Sequence, residues 1–250
     1  MSAILEIAGL HRSYGGVRAV DGVDLSLAEP GIVGLIGPNG AGKTTLFDLI
    51  AGQQDADRGE IRFEGRRIEA LPVQDRARLG FARTFQECRV LPEETCVDNL
   101  LFAAQDQRLG GTLARVFTRR RSVGAVARDE ARRLLGLVNL TPHADSPAAA
   151  LSYGQRRLLE IASALMTRPG VLLLDEPAAG VNPTLLNTVH DLLLQVAAER
   201  RMLLIVVEHN MPFIMSLAGH IVVMQAGRVL AEGAPEAMQR DPRVLAAYLG

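Results

Sequence analysis

A glycine-rich segment between an apolar run and a helix-compatible stretch constrains the fold of this chain more than any other feature. Residues 32–36 predict a buried strand, and residues 43–51 predict a helix. Residues 37–44 fit the pattern G-x-x-x-x-G-K-[ST], in which glycines let backbone N–H groups turn inward around phosphate oxygens. We therefore expect an α/β fold that holds a nucleotide at this turn.

The composition singles out one residue of this segment. Lys43 is the only lysine among the 27 lysine and arginine residues. A lysine ammonium is a compact, flexible point charge and an arginine guanidinium is a planar fork, so the bias indicates that position 43 requires the compact form. We expect Lys43 to reach the β- and γ-phosphates and Thr44 to offer its hydroxyl to Mg²⁺. The GTPase motif Asn-Lys-x-Asp needs another lysine, which argues against the GTP-switch class.

Two adjacent carboxylates follow a second apolar run. Residues 171–174 predict a buried strand, and Asp175 and Glu176 come directly after it. Ligands bind at the carboxyl ends of strands in open α/β sheets. We therefore expect Asp175 to hold Mg²⁺ through its water shell and Glu176 to polarise the attacking water as a general base.

The rest of the chain shows alternating strand and helix patterns. Further strands are predicted at residues 4–8, 23–27, 59–63, 203–207, 221–224 and 229–231. Further helices are predicted at residues 153–167, 184–200 and 211–217, and residues 72–140 show a mostly helical pattern. This order predicts an α/β fold with a mainly parallel sheet and a helical insertion.

Charge and hydropathy exclude several classes of protein. A net charge of −1 gives no electrostatic basis for binding nucleic acid. No apolar run is long enough to span a bilayer, and residues 1–10 lack the basic start of a signal peptide. We expect a cytosolic protein in which Cys88 and Cys96 are reduced thiols.

A third motif makes the chain resemble a known family. Residues 151–155, Leu-Ser-Tyr-Gly-Gln, resemble the LSGGQ signature of ABC ATPases, with Tyr153 in place of the first glycine. The resemblance implies that Ser152, Gly154, Gln155 and the following helix N-terminus bind the γ-phosphate held by a partner subunit. Considered alone, Ser152 is more typical of a helix N-cap.

The resemblance also implies roles for residues that carry no signal by themselves. Gln86 matches the glutamine that contacts Mg²⁺ and water, His209 matches the switch histidine, and Tyr14 matches the aromatic that stacks on adenine. The implied catalytic residues are therefore Glu176, His209 and Gln86, and the implied Mg²⁺ ligands are Thr44, Gln86 and Asp175. The implied ATP-binding residues are Tyr14, Gly37, Pro38, Asn39, Gly40, Ala41, Gly42, Lys43, Thr44, Thr45, Ser152, Gly154 and Gln155.

Within the ABC family, the chain is most similar to the ATP-binding subunits of branched-chain amino acid importers. The likeness lies in residues 82–86, 151–162, 175–183 and 241–250, with a longer helical insert at residues 105–126. Urea importers share a similar tail but usually have aspartate at position 210, where this chain has asparagine. An exporter subunit and a soluble ABC ATPase outside transport remain as alternatives.

The resemblance implies one ABC ATPase domain over residues 1–250. It predicts a P-loop NTPase (RecA-like) core with an antiparallel β subdomain at residues 1–86 and 167–250, and an inserted helical subdomain at residues 87–166. The implied partners are a second ABC ATPase subunit, membrane permease subunits that hold the chain at the inner face of the membrane, and, indirectly, an external binding protein. Two details stay open: the effect of Asn182 where the family usually has aspartate, and the role of Arg119–Arg121.

Overall fold

The computed structural model describes residues 3–84, 88–105 and 125–249, which form two β-sheets flanked by helices. The strands are β1 (Leu5–Tyr14), β2 (Val17–Leu27), β3 (Gly31–Ile36), β4 (Arg58–Phe63), β5 (Arg66–Arg67), β6 (Phe81–Arg83), β7 (Val171–Asp175), β8 (Leu203–Val207), β9 (His220–Gln225) and β10 (Arg228–Gly233). One sheet has the order β2-β1-β4-β5 and the other β10-β9-β3-β8-β7-β6.

The helices occupy the segments between these strands. They are α1 (Lys43–Ala51), α2 (Val73–Arg78), α3 (Cys96–Gln105), α4 (Ala125–Leu137), α5 (Tyr153–Met166), α6 (Pro183–Arg200), α7 (Met211–Leu217), α8 (Pro235–Met238) and α9 (Pro242–Leu249), with short 3₁₀ turns at Thr141–His143 and Ala148–Ala150. The predicted α/β fold is confirmed.

The six-stranded sheet is buried on both faces. In β7, Leu172 and Leu174 pack into one hydrophobic cluster, while Val171 and Leu173 pack into the other. Neighbouring strand residues point to opposite faces, so a strand covered on both sides needs a continuous apolar run. That requirement explains why continuous apolar runs predicted β3, β7 and β8. Their parallel pairing brings their carboxyl ends to one edge of the sheet.

The smaller sheet is antiparallel, and its first two strands are longer than predicted. The predictions at residues 4–8 and 23–27 cover only parts of β1 and β2. The pairing register shifts between Ile7 and Leu10, where Gly9 has a φ of 53°, and again beyond Leu10. Each such bulge interrupts the alternation of apolar and polar residues, so the pattern stops while the hydrogen-bonded strand continues.

Strand β6 corrects the prediction of a mostly helical region at residues 72–140. Its three residues pair in parallel with β7, from Phe81 beside Val171 to Arg83 beside Leu173. A strand this short contains too few residues to show a period of two, and only its partner stabilises it. It forms one edge of the large sheet and leads the chain to Thr84 near the predicted site.

Helices α3, α4 and α5 pack together beside the large sheet. Their shared interior includes Leu100, Leu101, Leu134, Leu135 and Leu158, all buried. The division of the chain at residues 87 and 166 stays a prediction. Among the described residues, no helix combines the length and the apolar character needed to cross a membrane.

Candidate active site

The turn between β3 and α1 requires glycine at both of its ends. Gly37 has a φ of 149°, and a Cβ there would lie 2.2 Å from the carbonyl oxygen of Met224. Gly42 has a φ of 100°, and a Cβ there would lie 2.1 Å from the carbonyl oxygen of Ala19. Both contacts are with backbone, so no side-chain movement could relieve them. The neighbouring strands β2 and β9 thus explain why this loop has glycine at these positions.

Lys43 begins α1 and its ammonium folds back over the loop. Its Nζ donates to the carbonyl oxygens of Gly37, at 2.7 Å, and Pro38, at 3.0 Å. Burial lowers the pKa of Lys43, while the negative charges of Glu176 and Asp175 oppose that shift. The ammonium therefore lies against the loop and within the electrostatic influence of both carboxylates.

A cavity of about 340 Å³ lies over this turn. Its lining includes the predicted residues Asn39, Gly40, Ala41, Gly42, Lys43, Thr44 and Thr45, together with Glu176 and His209. Glu176 and His209 lie far from the glycine-rich turn in sequence. The parallel order of β3, β8 and β7 brings all three segments together. The cavity has the N-terminus of α1 at its base, where helix N–H groups and the helix dipole favour an anion.

Glu176 and His209 lie beside each other in the lining of this cavity. His209 Nε2 lies 3.3 Å from Glu176 Oε1, and the His209 side chain is 45% exposed. Strand β7 ends at Asp175, and Glu176 adopts a φ of 48°, in the left-handed region that residues other than glycine seldom occupy. The Glu176 carboxylate pairs with His209, whereas that of Asp175 pairs with Arg83. The left-handed backbone at Glu176 costs on the order of 1–3 kcal/mol, so surrounding contacts must maintain it.

Arg157 supplies such contacts, and the sequence analysis missed it. This fully buried residue of α5 donates to the carbonyl oxygens of Asp175, at 2.6 Å, and Glu176, at 3.1 Å. Its other terminal nitrogen lies 2.8 Å from Glu160 on the same helix. Both carbonyls are bonded by one terminal nitrogen, whose two N–H groups can hold two successive carbonyls in fixed positions. In the sequence, the role of Arg157 is marked only by the presence of an arginine in the helix that follows the signature.

Arg83 is a second missed residue of the site. It ends β6 and donates from one nitrogen to Asp175 Oδ2, at 3.2 Å, and from the other to Asp48 and Gln53. These contacts fix the orientation of the Asp175 carboxylate next to the cavity. Arg83 lies in a stretch that supported the resemblance, but its role depends on partners 35 and 92 residues away in sequence.

The signature residues lie outside the cavity of their own chain. Ser152 caps α5: its hydroxyl accepts from the Gln155 N–H, at 3.3 Å, and the Gln155 side chain accepts from the Ser152 N–H, at 2.9 Å. A Cβ at Gly154 would lie 2.9 Å from Leu185, and one at Gly180 would lie 2.8 Å from the ring of Tyr153. Within this single chain Ser152 therefore acts as the N-cap that its residue type suggested, and its role towards a partner stays a prediction.

Replacing Ser152 with alanine should lower the stability of the chain. We expect a loss of about 1 kcal/mol, because one of the helix's N-terminal N–H groups loses its acceptor. Chemical denaturation of the purified chain measures this loss. Ser163→Ala is the matched control, since the Ser163 hydroxyl lies within the same helix and donates to the Leu159 carbonyl oxygen, with no capping role. An equal loss for both variants would contradict the capping role.

The other residues singled out in the sequence, where the structure describes them, do not line the cavity. Tyr14, the last residue of β1, is 41% exposed and does not line the cavity; the Arg12 guanidinium lies 4.9 Å from its ring centre. Asn182 and Asn210 cap α6 and α7, accepting from the N–H groups of Leu185 and Phe213. At Asn182, an amide oxygen thus fills the capping position where the resemblance predicted an aspartate. Gln86 and Arg119–Arg121 lie outside the described residues.

Comparison with known families decides what this arrangement is. Residues 20–179 match the family model described as ABC transporter. The chain belongs to the ABC transporter family. The matched span holds the glycine-rich turn, the signature and the carboxylate pair, so the ABC resemblance inferred from these motifs is confirmed. A second model, described as branched-chain amino acid ATP-binding cassette transporter, matches residues 228–250.

Individual ABC proteins match over the whole chain. The chain is 44% identical to the high-affinity branched-chain amino acid transport ATP-binding protein BraF of Pseudomonas aeruginosa, over 99% of this chain and 98% of BraF. Identity to LivG of Salmonella typhimurium is 39%, with the same coverage. Among solved structures, the ADP conformation of the ATP-binding cassette MJ1267 has a TM-score of 0.85 at 30% identity, over all of both chains. A nucleotide-free ATP-binding cassette from an ABC transporter has a TM-score of 0.85 at 31% identity, over 99% of each chain. The chain is therefore an ATP-binding, ATP-hydrolysing ABC subunit of the LivG type.

Proposed function

We propose that this ABC subunit powers the import of branched-chain or other hydrophobic amino acids. The observation that carries the proposal is the match to BraF over 99% of the chain, joined by the branched-chain transporter match at residues 228–250. The site described above is a site for ATP, and other subunits would bind the cargo. Support for the cargo class therefore comes from likeness along the chain, and support for the roles of residues comes from the geometry of the cavity.

The phosphate end of ATP would lie on the turn between β3 and α1. The backbone N–H groups of residues 39–44 would surround its oxygens, and the dipole of α1 would add to the attraction. Lys43 would leave the carbonyls of Gly37 and Pro38 and pair with the β- and γ-phosphates. Tyr14, whose ring is exposed at the end of β1, would stack on the adenine.

The donors around the turn fit Mg²⁺. This ion prefers hard oxygen ligands, keeps several waters and takes much of its coordination from nucleotide phosphates. Thr44 offers a hydroxyl in the cavity, and the buried Asp175 carboxylate lies near the Lys43 cation. Within residues 3–84, 88–105 and 125–249, no cluster of three or more His, Cys, Asp or Glu side chains could hold a metal on its own, which suits an ion shared with phosphate and water. When bound, Mg²⁺ would neutralise charge on the β- and γ-phosphates; Gln86 is its third proposed ligand.

Glu176 would take the proton from the attacking water. Its carboxylate faces the cavity, and His209 lies within 3.3 Å of it. His209 would hold this carboxylate in place and hydrogen-bond the γ-phosphate, and Gln86 would contact the same water. Arg157 would keep the Glu176 backbone in the conformation that directs the carboxylate inward.

A second ABC subunit would complete each site. Ser152, Gly154, Gln155 and the N-terminus of α5 lie outside the cavity of their own chain, which supports their use across a head-to-tail dimer. The helix N-terminus would then meet the γ-phosphate on the partner's turn. ATP binding would close such a dimer, and hydrolysis would reopen it.

The other proposed partners follow from the importer function. Integral permease subunits would bind the dimer at the inner face of the membrane and carry the cargo. An external binding protein would deliver the amino acid and contact this chain only indirectly. The permease also accounts for the proposed location, cytoplasmic and peripheral on the membrane.

Uptake by the source cells tests the proposed cargo. Cells with native protein and cells with Lys43→Ala are compared for uptake of labelled leucine and labelled urea. We expect leucine uptake to fall to background in the variant and urea uptake to stay unchanged, because the turn loses the cation that pairs with the β- and γ-phosphates.

Arg66→Ala provides the control for this experiment. Arg66 is exposed on the small sheet, so its replacement should leave both uptakes unchanged. Loss of urea uptake alone would contradict amino acid import and assign the chain to the urea branch. Loss of neither would contradict both cargoes while leaving the ATPase activity to be measured separately.

A further inference from the structure

Glu208 is the residue between the end of β8 and His209, and its carboxylate is buried. Only 3% of the residue is exposed. A buried carboxylate needs hydrogen-bond donors, because burial without them costs the free energy of its lost hydration. Backbone N–H groups from two different loops are the donors here, so this side chain joins two segments of the site.

The first of these loops carries Glu176. Glu208 Oε1 accepts from the N–H of Ala178, two residues beyond Glu176, at 2.7 Å. The Glu176 N–H itself donates to the carbonyl oxygen of Val207, the last residue of β8, at 2.9 Å. The segment with the proposed base is therefore tied to the end of β8 at two successive residues, Val207 and Glu208.

The second loop carries His209 and leads into α7. Glu208 Oε2 accepts from the N–H groups of His209, at 2.9 Å, and Asn210, at 3.0 Å. Asn210 is also the N-cap of α7, so this bond holds the loop where the helix begins. The two oxygens of one carboxylate thus hold the two loops separately.

This bridge lies where the sheet no longer sets the distance between the loops. The pairing of β7 with β8 ends with Asp175 beside Val207. Beyond that pair, His209 Nε2 and Glu176 Oε1 lie 3.3 Å apart. Glu208 itself does not line the cavity, so it can act on the chemistry only through the positions of Glu176 and His209.

We propose that Glu208 is a positioning residue for the Glu176–His209 pair: its carboxylate holds the two loops at the separation that keeps the base and the histidine in contact. The proposal rests on the roles proposed above for Glu176 and His209, and it adds a residue that acts through both. Because Glu208 bonds neither the glycine-rich turn nor Lys43, its loss should slow the chemical step more than it weakens nucleotide binding.

The first test replaces Glu208 with glutamine, which keeps the size of the side chain. An NH₂ group then takes the place of one oxygen, and it cannot accept from a backbone N–H, so one loop loses its acceptor. We expect kcat, measured as phosphate release by the full chain, to fall by about 10- to 100-fold, since a misplacement of about 1 Å can cost that much. Binding of a non-hydrolysable ATP analogue with Mg²⁺ should change by less than about threefold.

The same substitution in the Glu176→Gln background separates positioning from general damage. Once the base is gone, little is left for Glu208 to position. We therefore expect Glu208→Gln to lower the rate of phosphate release by less than about threefold in that background, because residues that act as a unit are not additive. General damage to the site would lower the rate by a similar factor in both backgrounds.

Glu69→Gln is the matched control, because it makes the same change at a partly buried glutamate that also accepts a backbone N–H. Glu69 Oε2 accepts from the N–H of Ile61 in β4, at 3.4 Å, and Glu69 does not line the cavity. This variant should keep kcat and analogue binding within about twofold of the native values.

Four outcomes would overturn the proposal. They are an unchanged kcat in Glu208→Gln, equal losses in the two backgrounds, an equal loss in Glu69→Gln, and loss of analogue binding in Glu208→Gln, which would assign Glu208 to the folding of the chain. A native rate in Glu176→Gln would instead contradict the proposed base. A native rate in Glu208→Gln beside a slow Glu176→Gln would overturn the role of Glu208 alone. Phosphate release is measured without transport, so none of these results depends on the cargo.

Discussion

Glu176→Gln should hydrolyse ATP at least about 100-fold more slowly than the native chain, because a general base of this kind contributes roughly 10²- to 10⁴-fold to the rate. Glutamine has nearly the shape of glutamate but cannot accept the proton from water. ATP should therefore bind and remain intact between two chains, since closure depends on the nucleotide and reopening depends on hydrolysis. Gel filtration with MgATP should show the variant as a dimer, and the phosphate-release rate measures the chemical defect.

Glu29→Gln is the control for this variant, because Glu29 is an exposed glutamate in the loop before β3. It should hydrolyse ATP at the native rate and should not accumulate as a dimer. A monomer in Glu176→Gln with MgATP would contradict the proposed head-to-tail closure. A native rate of hydrolysis would instead remove Glu176 from the role of base.

Arg157→Leu should cost the chain about 3 kcal/mol of unfolding free energy, as expected when one partner is removed from a buried charge pair. The substitution leaves the charge of Glu160 buried without the guanidinium at 2.8 Å that compensates it. It also deletes two donors to the carbonyls of Asp175 and Glu176. A loss of that size lowers the thermal midpoint by roughly 6–12 °C in a chain of this length.

Arg156→Leu tests whether the effect belongs to the buried position. Arg156 is the preceding residue on the same helix, only half-buried, and donates to the Leu151 carbonyl oxygen. We expect a change within about 1 kcal/mol for this control. Both variants are measured by thermal unfolding at one pH. Equal shifts of the thermal midpoint would contradict a specific stabilising role for the contacts of Arg157.

The parts of the fold that were predictable are those with a dense local signal. Strand β7 is apolar on every residue before Asp175 because both of its faces are covered, and the glycine-rich turn is recognisable from eight residues. Strand β6 carries no comparable signal, since three residues cannot show a period and its partner β7 lies about 90 residues away. The true length of β1 was missed because bulges interrupt its apolar alternation. The alternation is visible in neighbouring residues, whereas the pairing register depends on a partner strand.

The residues of the site also differ in whether a local motif marks them. Lys43, Thr44 and Glu176 could be named because their motifs are contiguous or follow an unmistakable strand. Arg157 could not, because its role depends on two carbonyls that only the folded chain brings to it. The left-handed backbone of Glu176 was equally invisible, since nothing in the residue type favours it. Long-range contacts of single side chains therefore mark the limit of what this sequence reveals.

The folded-back position of Lys43 has a consequence for nucleotide binding. Its ammonium already has two oxygen partners in the carbonyls of Gly37 and Pro38, so any arriving anion must compete with them. Those carbonyls are neutral, whereas a phosphate oxygen is charged, and hydrogen bonds to charged acceptors are roughly twice as strong as neutral ones. A triphosphate offers several charged oxygens at once, which favours the exchange. Before the nucleotide binds, the loop carbonyls therefore take the place of water around a buried cation.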